Sequence, residues 1–215
     1  MKRCLAEFLG TYALLFACTG SAIVNQESHG VITHVGLAIT CGLIVMSMIY
    51  AFGELSGAHL NPAVSIAFTL AGRFPPKQLV PYIVSQLAGG IAASFTLKFM
   101  FPASVLLGST LPSGSDLQSL VMEFILTFFL MLVIINVASG SKEQGMFAGL
   151  AIGAVVALEV MFAGPVSGGS MNPVRSFAPA LVSGHLEHVW IYLTAPVAGA
   201  AAAIPVFKIL KSSDK

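Results

Sequence analysis

Six apolar stretches, at about 4–24, 31–53, 78–101, 117–139, 145–163 and 187–208, leave this 215-residue chain few ways to fold. A helix needs about 20 apolar residues to cross the hydrocarbon core of a bilayer, and each stretch is near that length. Composition agrees: 56% of the residues are hydrophobic, 9% are charged, and the mean hydropathy is +0.90. Soluble domains carry roughly 25% charged residues, so this chain must bury its exterior in lipid. The expectation is an all-α membrane protein with six transmembrane helices. Little length remains for a soluble catalytic domain, and no catalytic residue is assigned. Ten basic against nine acidic residues give no excess for nucleic acid. Cys4, Cys18 and Cys41 all lie in apolar stretches and show neither a disulfide framework nor a metal spacing, so no metal and no cofactor is expected.

Lys2-Arg3 ahead of an apolar run has the outline of a cleaved signal. An internal repeat argues for keeping it as a span, because its removal would leave one half without a first helix. Two separators are too long and too apolar for surface loops: Glu54 to Gly72 and Gly164 to Gly184. Each turns through a proline and then reads as a short helix. The 12 residues from Asn61 to Gly72 would make about 18 Å of helix, half a bilayer, so both segments are expected to enter the membrane and stop midway. With six spans, Lys2, Arg3, Arg73, Lys77, Lys142, Lys208, Lys211 and Lys215 share the side that holds both termini. The positive-inside rule makes that side cytoplasmic, in a plasma or inner membrane. Lys98 falls at the outer end of the third span, and Arg175 falls inside the second re-entrant segment.

The repeat sets the architecture. Ala6-Glu7-Phe8 with Thr11 recurs as Met122-Glu123-Phe124 with Thr127, and Gly36-Leu37-Ala38-Ile39 recurs as Gly149-Leu150-Ala151-Ile152. Ser56-Gly57-Ala58-His59-Leu60-Asn61-Pro62-Ala63-Val64 recurs as Ser167-Gly168-Gly169-Ser170-Met171-Asn172-Pro173-Val174-Arg175. A single channel domain over 1–215 therefore divides into a first repeat, 1–101, and a second, 117–211. Three spans per half is an odd number, so the halves must be inverted, and inverted repeats place their site near the midplane where broken helices meet.

These residues closely resemble the aquaporin and aquaglyceroporin (major intrinsic protein) family over essentially the whole chain. Two Asn-Pro-Ala-type boxes in register with a repeat and six spans are specific where one would be weak. The physics of the boxes stands beside the resemblance. Asn caps a helix, and Pro at the first helical position gives up no needed N–H. Asn61, Pro62 and Ala63 thus start one half-helix, and Asn172, Pro173 and Val174 the other. Each N-terminus presents about half a positive charge. Two such ends facing one another repel cations and protons, while the asparagine amides donate to a passing hydroxyl. The inferred mechanism is passive diffusion.

Arg175, as an intramembrane charge, reads as lining a water-filled cavity rather than as a buried ion-pair partner. The resemblance implies that it forms a constriction with Cys41, Val160 and Gly169. Water-selective members have Phe and His at the positions of Cys41 and Val160, so small residues here imply a wide gap. Ser176 stands where glycerol-conducting members have Asp, and Glu54 where many relatives have His. Ala180, Tyr192, Leu193 and the run Val160 to Gly168 look like the plant nodulin-like intrinsic proteins. That subgroup implies water and small uncharged solutes, glycerol and also arsenite or boric acid. The family implies a homotetramer in the lipid bilayer.

Glu7 and Glu123, being repeat-related, are expected to accept hydrogen bonds from the N–H groups of the re-entrant loops. Glu159 has no repeat counterpart and neighbours Val160, facing either the pore or a helix. Gly149, Gly153, Gly89-Gly90 and Ala92-Ala93 supply small residues for close helix contact, and His59 is expected to pack beside the first box. Two other functions stay open. One is a nearly water-only channel, if Glu159 or the loops narrow the pore. The other is a coupled secondary transporter, since inverted repeats serve those too.

Overall fold

The computed structural model describes residues 1–141 and 145–212. Lys142 and Lys215, two of the basic residues used for orientation, lie outside the described residues, as does part of the separator from Ser139 to Gln144. Among the described residues, six helices are long and apolar enough to cross a membrane. They are α1 (Lys2–Glu27), α2 (Thr33–Ser56), α4 (Pro76–Met100), α5 (Asp116–Val137), α6 (Ala148–Ser167) and α8 (Val189–Ser212). Two short helices, α3 (Pro62–Leu70) and α7 (Pro173–Ser183), occupy the two re-entrant separators. The chain is multi-pass and all-α, as its apolar runs require.

Local sequence sets the breaks. Both α2 and α6 end on a glycine in the left-handed region, Gly57 at φ 87° and Gly168 at φ 88°, each donating its N–H back four residues at 2.9 Å. A residue with a Cβ pays a steric penalty there, so glycine stops the span and turns the chain inward. Asn61 and Asn172 then restart the helix: each has extended backbone, and its Oδ1 accepts from the N–H two residues on, Ala63 at 2.9 Å and Val174 at 3.0 Å.

Packing follows the duplication. α1 lies against α2 and α4, while α5 lies against α6 and α8, and the halves meet along α2 and α6. Each half-helix also crosses to the other half, with α3 against α8 and α7 against α4. Those approaches need small residues. A Cβ on Gly90 would strike Val174, and a Cβ on Gly89 or Gly199 would strike the backbone carbonyl of Phe8 or Phe124. The core therefore forms around the half-helices, with Ala63, Val64, Val174 and Ala178 packed among Leu15, Met131 and Ile204. The outer surface is apolar: Val80, Val84, Phe95, Phe99, Phe129 and Leu158 are all more than half exposed.

Candidate functional site

The two capped helix ends meet tip to tip. Asn61 Nδ2 donates to the carbonyl of Met171 at 2.8 Å, and Asn172 Nδ2 donates to the carbonyl of Leu60 at 2.9 Å. Each amide is thus held on both sides, Oδ1 by its own helix and Nδ2 by the opposite loop. An amide nitrogen carries two hydrogens, so one remains on each asparagine. Both residues line a cavity of about 680 Å³, into which that second donor can point.

Backbone strain shapes the loops that lead to the tips. Leu60 and Met171, equivalent in the repeat, sit at φ 52° and 53°, and Ala58 and Gly169 at 45° and 60°. Left-handed backbone is costly for residues other than glycine and persists only where surroundings over-determine it. Here the surroundings are two buried carboxylates. Glu7 accepts from Ser56 Oγ (2.7 Å), His59 N (2.9 Å), Leu60 N (2.8 Å) and Gln86 Nε2 (2.8 Å). Glu123 accepts from Ser167 Oγ (2.7 Å), Ser170 N (2.9 Å) and Met171 N (2.7 Å). Tyr82 and Tyr192 hydroxyls donate to the carbonyls of Ser56 and Ser167 at 2.9 and 2.7 Å, bracing each loop from the last span of its own half. With their N–H groups turned to the carboxylates, the loop backbones at Ala58 and Gly169 border the cavity.

The same cavity collects the constriction candidates. Cys41, Val160, Gly169 and Arg175 all line it, together with Asn61 and Asn172, and it runs on to Tyr50, Glu54 and Met146 at the opposite end. Pro62, Ala63, Pro173 and Val174 are buried behind the asparagines, starting the two half-helices rather than lining the cavity. No carboxylate among the described residues pairs with Arg175; its guanidinium donates to the carbonyl of Gly108 at 2.8 Å. A fixed cation not paired with a carboxylate therefore shares the cavity wall with two small side chains, Cys41 and Val160, and the bare backbone of Gly169. Glu159 is buried on α6 and does not line the cavity, and its Oε2 has no partner among the described residues. His59 stacks on Phe68 at 4.9 Å between ring centroids, with its Nδ1 3.0 Å from Ser65 Oγ.

Several contributors escaped the sequence reading. Gly108, which anchors Arg175, lies at φ 69° against the backbone of Thr19, in the segment read only as a loop. Thr110, from the same loop, reaches the Ser176 hydroxyl at 2.6 Å. Gln86 adds its amide to Glu7, where the repeat places Pro196 in the other half. Lys98, already expected at the outer end of the third span, is tied down there by the carbonyl of Val182 at 2.9 Å, a partner the sequence did not indicate. The glycine at 108 was a signal for a close approach; the others had none.

Comparison with known proteins agrees with this geometry. The family model described as "Major intrinsic protein" matches residues 1–207. The chain belongs to the major intrinsic protein family. It is 47% identical over 216 residues to "Aquaporin NIP1-1" of Oryza sativa subsp. japonica, covering 100% of this chain and 76% of that one. It is also 47% identical over 216 residues to "Nodulin-26" of Glycine max, covering 100% of this chain and 80% of that one. Among solved structures, the aquaglyceroporin from Plasmodium falciparum superposes with a TM-score of 0.81 at 26% identity, covering 97% of this chain and 98% of that one. As a member of the major intrinsic protein family, the chain is a passive transmembrane channel for water and small neutral solutes.

Proposed function

We propose that the channel passes small neutral polyhydroxyl solutes as readily as water, with glycerol foremost and arsenous and boric acids of the same size class. One observation carries this reading: Arg175 shares its stretch of cavity with Cys41, Val160 and Gly169, none of them large. A carbon-bearing solute needs an apolar wall beside its donors and acceptors. Cys41 and Val160 supply the wall, while Arg175 and the second N–H of each asparagine supply donors. The helix N-termini behind Asn61 and Asn172 oppose cations and protons.

Passive rather than coupled passage is supported by the state of the carboxylates. Coupling to protons at the paired boxes needs a titratable group free to exchange there, whereas Glu7 and Glu123 are held by four and three donors. The carboxylate that does line the cavity, Glu54, stands at its far end. The transport then involves no chemical conversion. The end bearing Lys2, Arg3, Arg73, Lys77, Lys208 and Lys211 is assigned to the cytoplasm of a plasma or inner membrane by the positive-inside rule. A homotetramer fits the broad apolar exterior, which neighbouring copies and lipid would cover together.

The test is a solute panel of water, glycerol, urea, arsenite and boric acid on purified protein in liposomes. Rapid reswelling under a glycerol gradient without proton leak is expected. Glycerol flux at the level of protein-free liposomes overturns the reading.

A further inference from the structure

Pro165 interrupts α6 just before the glycine that ends it. A proline has no N–H, so the carbonyl four residues back, that of Met161, loses its partner within the helix. Inside a span such an orphan has to be satisfied by another element. His34, in the first turn of α2, satisfies it: Nε2 lies 2.8 Å from the Met161 oxygen. A carbonyl only accepts, so Nε2 carries the hydrogen.

The neighbours of His34 aim it there. Thr33 sits at φ 63°, left-handed backbone that is costly for a β-branched residue and persists only where it is held. Asn25 Oδ1, at the end of α1, accepts from Thr33 N at 2.8 Å, and Thr33 Oγ1 accepts from Gly36 N at 3.2 Å. The start of α2 is thus fixed before the imidazole crosses to α6.

On α6 the imidazole meets the turn that carries the constriction. Its ring lies against Gly164, where an added Cβ would come within 2.6 Å of Cε1. A Cβ built on Gly169 would approach the same turn, 3.2 Å from Val160 Cα and 3.7 Å from Gly164 Cα. Val160 and Gly169 line the cavity, whereas His34, Met161 and Gly164 do not. The turn from Val160 to Gly164 therefore lies between the lumen and the imidazole. Counted from the helix ends at Gly57 and Gly168, Pro165 corresponds to Glu54 and His34 to Gly145. The other half thus repeats neither the proline nor the imidazole, and the tie is peculiar to the Arg175 end of the lumen.

We infer that His34 is a positioning residue for selectivity: by taking the carbonyl that Pro165 unpairs, it holds the turn from Val160 to Gly164 back from the lumen and keeps the constriction wide. His34 itself touches no solute. Without it the turn is free to settle towards the lumen, and the space beside Arg175 narrows. Glycerol, with its carbon chain, then loses more than water does. The use of glycerol as the probe rests on the proposed polyol passage; the tie itself does not.

A double-mutant cycle on the full-length protein in liposomes tests this. Water and glycerol permeability are measured by stopped-flow light scattering for the parent, H34A, H34F, H34Q, P165A and H34A/P165A. H34A and H34F should lower the glycerol-to-water ratio about fivefold, the weight of one ordinary hydrogen bond. H34Q places an amide N–H at similar reach and should keep the parent's ratio. The contrast of H34F with H34Q decides the question alone should H34A not fold. P165A restores an N–H for the Met161 carbonyl, so adding H34A to it should leave the ratio where P165A alone puts it. A bond that only stabilises the fold would lower the melting temperature and scale both fluxes together, and that result overturns the inference. An equal effect of H34A in both backgrounds overturns it too. A parent without glycerol flux overturns the proposed polyol passage instead. The cycle is then read on water permeability, which H34A should reduce in the parent background and leave unchanged in P165A.

Discussion

Gly42 and Gly153 meet backbone to backbone where α2 crosses α6. A Cβ built on Gly153 would lie 2.6 Å from the carbonyl oxygen of Gly42, and one built on Gly42 would strike the carbonyl oxygen of Gly153. Counted back from Gly57 and Gly168, which end α2 and α6, Gly42 pairs with Gly153, so the Gly36 and Gly149 runs matched in the sequence stand two residues out of register. The contact is reciprocal for that reason, and it brings the two halves together beside the lumen.

Adding that Cβ should loosen the bundle. Gly42→Ala, Gly153→Ala, Gly89→Ala and Gly199→Ala each place a methyl against backbone that cannot rotate away. Overpacking of this kind costs about 1–3 kcal/mol, and each kcal/mol lowers the melting temperature of a chain this size by roughly 2–4 °C. Gly145→Ala, where nothing lies within 4 Å, is the internal control and should stay within about 0.5 kcal/mol of the parent. Thermal unfolding in detergent checks the whole set.

Glu7→Gln and Glu123→Gln separate loop support from proton coupling. Oε1 of Glu7 faces two donors and so does Oε2, so converting either to an amide NH2 sets donor against donor. Leaving buried N–H groups unpaired costs about 1–3 kcal/mol. Lower melting temperature and reduced glycerol flux are expected from both variants, with flux indifferent to an imposed pH gradient in parent and variants alike. A parent whose flux follows the gradient, while the variants do not, would point to a coupled transporter.

Filling the constriction should discriminate by solute size. Cys41→Phe combined with Val160→His places two large side chains into the cavity opposite Arg175. One carbon more or less in a tight pocket is worth roughly 1–3 kcal/mol, so glycerol flux should fall at least about tenfold further than water flux. Stopped-flow light scattering under water and glycerol gradients measures both. An unchanged ratio would place the narrowest point elsewhere.

Removing the fixed cation should weaken ion exclusion. Arg175→Ala takes away a guanidinium anchored to Gly108 and not paired with a carboxylate. Two like charges about 4 Å apart repel by about 1–4 kcal/mol between bulk water and a partly screened site, so cation or proton leak should rise about tenfold or more. A pH-sensitive dye trapped in proteoliposomes reads the leak. Glycerol flux should persist, because the asparagine donors and the apolar wall remain.

By itself the sequence determined the spans, their inversion, the two half-helices and the family. Those features rest on short-range physics: an apolar run of bilayer length, a glycine that must turn left-handed at 57 and 168, and an asparagine whose side chain caps the N–H two residues on. Such signals act within one helical turn and are visible in one dimension. Only the tertiary structure decided that Asn61 and Asn172 hold each other's loops, that Gln86 joins Glu7 and that Gly108 anchors Arg175. Those partners lie 67 to 112 residues apart. Inversion brings the capped tips together, and close glycine contacts bring the helices near enough for side chains to touch. The loop that delivers Gly108 has no periodicity for a sequence to display.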